Sequence, residues 1–164
     1  MRITAFCVAI AVALALPACT GGNAVASSAG EPSRPTIGLT ISSASGKHMF
    51  RVETAATSQQ QARGLMFRTD IPLDGGMLFY PYPGDGGPPR EASFWMKDTP
   101  SSLDIIFIRA DGTIARIAEN TTPFSEAPIG SGEPVAAVLE LRGGRTADLG
   151  IAEGDAVTWD GRKR

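Results

Sequence analysis

Apolar residues follow two patterns along this chain: one long run near the N-terminus and many short alternating runs after it. Residues 5–18 are almost entirely apolar, whereas residues 37–41 alternate between apolar and polar or small side chains. Residues 50–53 alternate in the same way beyond a small, polar stretch at 44–46. Because a period of two buries one face of a strand, these two alternating runs predict a β-hairpin.

The rest of the chain is predicted to form short strands and two short helices. Thr57 and Gln60 make a capping-box pattern, so we expect a helix over residues 58–63 that ends at Arg63, before Gly64. A second helical turn is expected over residues 145–149, closed by Gly150. Further strands are expected over residues 77–80, 92–97, 103–108, 113–119 and 135–141 and over a last stretch that ends at Trp159.

Glycine and proline support a fold of short strands joined by turns. The chain has 19 glycines and 12 prolines in 164 residues, and this proportion favours turns over long helices. Three of these glycines and four of these prolines fall within residues 81–90, which are therefore predicted to be a loop. The predicted fold is mainly β (α+β): a compact antiparallel β domain or small barrel with one or two short helices.

Charge and composition exclude several classes of function. With 15 basic and 17 acidic residues the net charge is −2, so no nucleic-acid partner is predicted. One histidine and two cysteines argue against a zinc site or a disulfide framework, and we predict no metal and no cofactor. The sequence also lacks G-x-S-x-G, P-loop and H-E-x-x-H patterns, so a non-enzymatic role is favoured.

Residues 1–18 have the features of a signal peptide. Arg2 supplies a positive start, and the apolar run that follows has 14 residues. As a helix this run would span about 21 Å, which is shorter than the ~30 Å hydrocarbon core of a bilayer. The segment is therefore predicted to direct export rather than to remain as a membrane span.

The end of this segment predicts a lipid anchor. Leu16-Pro17-Ala18-Cys19 resembles a bacterial lipobox, in which the cysteine is lipidated and becomes the new N-terminus. This pattern predicts a lipoprotein on the periplasmic face of a bacterial membrane, with the membrane as its partner through lipidated Cys19. Cleavage after Ala26, in the pattern Ala24-Val25-Ala26, is the alternative and would give a soluble periplasmic protein.

The mature chain is predicted to contain one folded domain. Residues 19–35 are rich in glycine, alanine, serine and proline and are typical of a flexible tether. Residues 36–161 contain the predicted strands and helices and form the β-rich domain. Residues 162–164 are a short basic tail.

One predicted strand end combines aromatic and charged residues. Over residues 92–97, Trp95 and Lys97 share a face, and Asp98 follows directly. Because a lysine is rarely buried without a partner, this face is expected to point outward. A tryptophan beside a lysine suits a sugar ring or a planar anion; an amphipathic pair at the rim of the fold is the alternative.

Two carboxylates lie on otherwise apolar strands. Asp104 shares a face with Ile106, and Glu140 shares one with Val138. An unpaired buried charge costs several kcal/mol, so both require partners, and Arg63 could bind one of them through both guanidinium nitrogens. Three interpretations remain open: an internal ion-pair network, a polar pocket, or a pair of catalytic carboxylates.

Three groups of segments resemble a known family. The segments are Arg63-Gly64-Leu65-Met66-Phe67-Arg68, then Phe94-Trp95-Met96-Lys97-Asp98-Thr99 with Leu103-Asp104-Ile105-Ile106-Phe107-Ile108, and finally Val138-Leu139-Glu140-Leu141 with Gly150-Ile151 and Gly154-Asp155. Over residues 36–160 the chain is similar to the prokaryotic family catalogued as domain of unknown function one-nine-two. The resemblance implies a small β-rich fold, often exported, and carries no established activity. Asp98 stands where the family usually has asparagine.

The preferred hypothesis is a binding module held at the cell envelope, with a pocket for a small polar ligand such as a saccharide or peptide fragment. The residues proposed to line the pocket are Arg63, Trp95, Lys97, Asp98, Asp104 and Glu140. One alternative is a glycan-cleaving hydrolase that uses Asp104 and Glu140. A second alternative is a non-catalytic assembly partner that docks another envelope protein through the loop at residues 81–90.

Overall fold

A computed structural model describes residues 35–162, and within this range the chain forms nine strands and two short helices. The strands are β1 Thr36–Ser43, β2 Gly46–Ala55, β3 Gly75–Phe79, β4 Arg90–Phe94, β5 Leu103–Ile108, β6 Ile114–Ala118, β7 Ile129–Val135, β8 Ala137–Arg142 and β9 Ala156–Trp159. The helices are α1 Ser58–Arg63 and α2 Arg145–Leu149. The predicted mainly β fold with two short helices is confirmed.

Seven of these strands form one curled sheet. Their order is β6-β5-β8-β3-β2-β1-β9, while β4 and β7 pair separately. Neighbouring strands are antiparallel except β2 and β3, which run parallel and are connected through α1. The two edges approach each other where Thr113 pairs with Ala156, and the N–H of Val157 donates to the Gly112 carbonyl at 2.8 Å. The large sheet therefore curls toward a barrel.

Each face of the large sheet carries its own apolar core. Along β5, Ile106 and Ile108 pack in the cluster inside the curl, together with residues of β1, β2, β8 and β9. Ile105 and Phe107, which alternate with them, pack in a second cluster beneath β4, β7 and the segment after α1. Because β5 is buried on both faces, its nearly continuous apolar run follows from its central position.

Most predicted elements are confirmed, with the bounds of β3 and β6 shifted by one or two residues, and the larger differences lie around the smaller sheet. The hairpin of β1 and β2, the helices α1 and α2, and strands β5 and β9 occur where the sequence predicts them. The strand predicted over residues 92–97 instead begins at Arg90 and ends at Phe94. The prediction for 135–141 missed that Ala136 separates β7 from β8, and residues 129–134 were not predicted to be a strand.

Some predictions concern parts of the chain outside the described residues. These parts are the predicted signal peptide, Cys19 with its lipidation, the tether up to residue 34, and Lys163 with Arg164. Among residues 35–162, no helix has both the length and the hydrophobicity needed to cross a bilayer.

Candidate functional site

A cavity of about 380 Å³ lies between α1, the loop at residues 81–90 and β4. Its walls combine four aromatic side chains with two arginines: Phe79, Tyr82, Phe94, Trp95, Arg63 and Arg90. The ring of Phe94 packs edge-on against Phe79, with centroids 5.1 Å apart, and lies 5.9 Å from the ring of Tyr82. Apolar walls with a few polar groups are typical of small-molecule sites.

Two larger clefts contain none of the six predicted site residues. One, of about 630 Å³, lies beside Trp159, and the other, of about 530 Å³, lies beside Arg142. The smaller cavity instead contains three of the predicted residues: Arg63, Trp95 and Glu140. It is therefore the candidate site.

The end of α1 shapes one wall of this cavity. At the start of the helix, the Thr57 hydroxyl accepts from the Gln60 N–H at 3.3 Å, and the Gln60 side chain accepts from the Thr57 N–H at 3.1 Å. The helix ends at Arg63, and its C-cap residue Gly64 has φ 49° and ψ −134°. A Cβ at Gly64 would lie 3.2 Å from the Phe79 ring. Glycine therefore permits both this backbone conformation and the close approach to the cavity floor.

Glu140 lies in the floor of the cavity. It is 4% exposed and is paired in β8 between Met77 of β3 and Ile105 of β5. Its Oε2 has no hydrogen-bond partner within residues 35–162, and the backbone N–H of Leu65 is the donor that acts on the carboxyl group. Burial raises the pKa of Glu140 to about 8, while the Leu65 N–H acts in the opposite direction. The carboxyl group is therefore protonated at neutral pH.

Asp104 is buried as deeply as Glu140, but donors surround its carboxylate. Its Oδ1 accepts from the N–H of Asn120 at 2.7 Å and from the N–H of Gly144 at 2.9 Å. Its Oδ2 accepts from the N–H of Thr146 at 2.8 Å and from the Thr146 hydroxyl at 2.7 Å. Four donors satisfy the buried group, so Asp104 fixes the start of α2 against β5.

The two carboxylates do not share a cleft, which corrects two of the interpretations drawn from the sequence. Asp104 lies opposite Leu141 and Glu140 lies opposite Ile105, so their side chains project from opposite faces of the sheet. Asp104 does not line the cavity. The hypothesis of a hydrolase that uses this pair is therefore wrong, because no substrate bond can lie between them. An ion-pair network is also wrong for Asp104, whose partners are backbone groups and one hydroxyl.

Trp95 and Lys97 form the outward pair that the sequence predicts. The Lys97 Nζ lies 5.2 Å from the centre of the Trp95 ring, and Trp95 is 47% exposed. Both residues follow the end of β4 rather than lying in a strand. Trp95 lines the cavity, whereas Lys97 and Asp98 lie outside its lining. The carbonyl of Asp98 instead accepts from the N–H of Phe67 at 2.7 Å.

Comparison with known proteins identifies the family but not a function. The profile of DUF192, described as an uncharacterized ACR, matches residues 40–159. The chain belongs to the DUF192 family. A solved structure from Sinorhizobium meliloti 1021, provisionally described as a transcription regulator, is 42% identical with a TM-score of 0.74. The alignment covers 81% of this chain and 100% of that chain.

A second solved structure, a protein of unknown function from Novosphingobium aromaticivorans DSM 12444, is 41% identical with a TM-score of 0.72. That alignment covers 85% of this chain and 100% of the other. No match was found among curated proteins. The predicted membership of the domain family of unknown function one-nine-two is thus confirmed, together with its β-rich fold.

In this DUF192 chain, segments from all three groups that carry the resemblance meet at the cavity. Arg63, Gly64, Leu65 and Met66 come from the first group, Phe94, Trp95 and Thr99 from the second, and Glu140 from the third.

Sequence reasoning missed Tyr82, Arg90 and Phe94 as lining residues. The alternation of tyrosine and proline over residues 80–83 was an available signal, since a loop seldom places large aromatic rings without packing them. Within residues 35–162, no three side chains of histidine, cysteine, aspartate or glutamate converge as a metal site.

Proposed function

We propose that this DUF192 protein is a binding module that takes a small polar ligand in the cavity above Glu140. The buried carboxyl group carries this proposal, because its Oε2 has no partner among residues 35–162 and Glu140 lies in the floor of an aromatic-walled cavity. Leaving a buried polar atom unpaired costs about 1–3 kcal/mol. A ligand that hydrogen-bonds to Oε2 would remove this cost and would gain apolar contact with Phe79 and Phe94.

The mouth of the cavity adds features that suit a polar ring. Trp95 offers an exposed face supported by Lys97, and Ser93 and Thr99 place hydroxyl groups among the lining residues. Gln61 does not add a free amide. Its nitrogen donates to the carbonyls of Ala55 and Pro81, and its oxygen accepts from the N–H of Gly84. Gln61 therefore holds the loop at residues 81–90 in place as a wall.

A thermal-unfolding screen with saccharides and short peptides of the cell envelope tests the proposal. A ligand at 100 times its dissociation constant is expected to stabilise the protein by about 2.7 kcal/mol. Ala62 is exposed on α1 and lines the cavity, so the Ala62→Trp variant should fill the cavity and remove the response. Ala147→Trp is the matched control, because Ala147 is exposed on α2 and lies outside the cavity lining.

The proposal would be contradicted if no fragment in the screen raised the unfolding temperature of the wild type. It would also be contradicted if the Ala62→Trp variant responded as strongly as the wild type. A response lost in the Ala147→Trp variant as well would show that the loss is not specific to the cavity, and would contradict the proposal.

We further propose that the domain is exported and held at the periplasmic face of a bacterial membrane through lipidated Cys19. The lipobox-like sequence that ends at Cys19 supports this anchor. Cys19→Ala should move the protein from the membrane fraction to the soluble fraction, and mass spectrometry of the wild type should show an acylated N-terminal cysteine. A mature N-terminus at Ser27 would instead support the alternative cleavage after Ala26.

A second candidate function, docking of another envelope protein, is favoured by two exposed phenylalanines. Phe67 and Phe124 are 66% and 63% exposed and have φ angles of 65° and 59°. The N–H of Phe67 donates to the Asp98 carbonyl, and the N–H of Phe124 donates to the carbonyl of Thr99. Strained backbone that holds large apolar side chains in water is a feature of contact surfaces. Crosslinking in intact cells with Phe67→Ser and Phe124→Ser variants would test this candidate.

A further inference from the structure

We propose that the ligand presents an oxyanion to Glu140, which donates its proton to that group, so that binding depends on Glu140 remaining protonated. This inference depends on the proposed function and adds the charge class of the ligand and the condition for its release. The oxyanion can be a carboxylate or a phosphate, because either supplies an acceptor oxygen for the same donor.

The position of Glu140 provides the donor. The Leu65 N–H is the backbone donor that acts on the carboxyl group, while Oε2 is buried and without a partner in the described part of the chain. A Cβ placed on Gly64 would lie 3.6 Å from Oε2, so glycine at this position leaves room beside the oxygen that a side chain would fill. A protonated carboxyl has one O–H to donate, and an oxyanion is the strongest acceptor for it.

The charged groups around the cavity favour an anion. Glu140 is the one acidic residue among the described residues that line it, and Arg63 and Arg90 supply positive charge to its walls. Arg90 also contacts Asp85 at 3.4 Å, but both side chains are more than half exposed, so their mutual attraction is weak. Among the described residues, the lining thus has two arginines and, at neutral pH, no ionised acid.

Among the described residues, the elements packed against Glu140 bring no second acid to the cavity lining, since Asp85 of the loop and Glu91 of β4 lie outside it. Strand β3 has no titratable side chain, and the acidic residue of β5, Asp104, lies on the opposite face of the sheet. The segment at the end of α1 contributes Arg63, the loop at residues 81–90 contributes Tyr82, and β4 contributes Arg90. Glu140 is therefore the group whose ionisation would place a negative charge directly beneath a bound anion.

This arrangement makes the affinity for an anion depend on pH. The pKa of Glu140 is raised to about 8 by burial, so the proton is present at pH 7 and mostly absent at pH 9. When the binding-competent form is only partly populated, the apparent dissociation constant increases by the inverse of that fraction. We therefore expect the affinity for an ionised ligand to fall about tenfold between pH 7 and pH 9.

Calorimetric titration of the full chain with four probes tests the inference. Acetate and inorganic phosphate present the minimal forms of the two oxyanions, while D-glucuronate and D-glucose share one ring and differ in charge. We expect at least one anion to bind, glucuronate to bind more tightly than glucose, and the anion affinity to fall about tenfold from pH 7 to pH 9. The relative affinities of acetate and phosphate then distinguish the two sources of the oxyanion.

A variant separates the role of the proton from that of the cavity. Glu140→Gln cannot lose a proton, so its anion affinity should be weaker at pH 7 and should not fall by pH 9. Glu119→Gln is the control, because Glu119 is exposed and lies outside the cavity lining. Thermal unfolding of each variant confirms that it is folded, and the pH dependence of the wild type tests the inference without any variant.

Two results would overturn the inference in different ways. Equal binding of glucose and glucuronate without pH dependence would overturn it and leave the proposed function intact. A lack of response to acetate, phosphate and glucuronate at millimolar concentration would also overturn it, and the neutral fragments of the unfolding screen would then decide the proposed function separately.

Discussion

The two buried carboxylates of this protein lie on neighbouring strands and have opposite environments. Asp104 on β5 is fully buried and accepts four hydrogen bonds, three from backbone N–H groups and one from the Thr146 hydroxyl. Glu140 on β8 is 4% exposed, has one backbone donor and keeps Oε2 without a partner in the described residues. The first side chain enters the packed start of α2, and the second lies in the floor of the cavity.

This difference separates a structural carboxylate from a candidate functional one. A buried charge that is fully hydrogen-bonded stabilises the native state and has little remaining capacity for a ligand. A buried carboxyl that keeps its proton and an unused oxygen lowers stability and can be retained for another purpose. The fold tolerates Glu140 at an energetic cost, and the ligand that we propose for the cavity above it would offset this cost.

The largest expected effect on stability comes from Asp104. The substitution Asp104→Ala leaves the donors of Asn120, Gly144 and Thr146 unsatisfied, so we expect the free energy of unfolding to fall by about 5 kcal/mol. Urea denaturation at pH 7 measures this change. Asp74→Asn is the control, since Asp74 is exposed. A loss below 1 kcal/mol would show that Asp104 is not the structural member of the pair.

A smaller effect on stability is expected at Glu140. Whereas Asp104→Ala destabilises the protein, Glu140→Gln should remove a loss of stability that the wild type undergoes at high pH. Glu140 has a folded pKa of about 8, which exceeds the ordinary value of 4.5, so unfolding releases a proton between these pH values and stability falls as the pH rises. Wild-type stability should decrease by about 4 kcal/mol from pH 5 to pH 9 relative to Glu140→Gln, whose side chain does not titrate. Parallel denaturation curves at the two pH values measure the difference.

Two comparisons sharpen this expectation. Glu119→Gln should follow the wild type at both pH values, because Glu119 is exposed. Identical pH profiles for wild type and Glu140→Gln would contradict the assignment of a protonated Glu140.

The smallest effect is expected at the helix that presents the Leu65 donor to Glu140. Replacing Thr57 with alanine removes the hydroxyl that accepts from the Gln60 N–H and should cost about 1 kcal/mol. The measured quantity is the urea midpoint, with Thr122→Ala as an exposed control. If the loss exceeds that of Asp104→Ala, the helix rather than Asp104 dominates the stability of this region.

Local signals in the sequence were sufficient to predict the elements that local interactions stabilise. The capping box of Thr57 and Gln60 and the glycine after Arg63 predict α1 with its observed bounds. The alternation over residues 37–53 predicts the first hairpin. Strand β7 was not predictable in this way, because Gly130, Gly132 and Pro134 interrupt its pattern. It forms by pairing with β4 in a two-stranded sheet, where a proline is tolerated at an edge.

The candidate site was predictable only in part. The two-residue alternation of side chains along a strand correctly placed Asp104 on the same face as Ile106 and Glu140 on the same face as Val138. The register of β5 against β8 then decided that these faces are opposite. Tyr82 and Arg90 were not predicted as lining residues, because the loop between them acquires its position through Gln61, about twenty residues earlier in the chain.

The sequence by itself determined the β-rich class, the short helices, the family and the presence of two acids on apolar strands. These properties depend on periodicity, on capping residues and on side-chain chemistry, which act over a few neighbouring residues. Only the tertiary structure decided that Asp104 receives donors from a segment 40 residues away, whereas Glu140 meets a cavity. The number of donors that reach a buried carboxylate depends on which distant segments pack against it, and no local pattern encodes that packing.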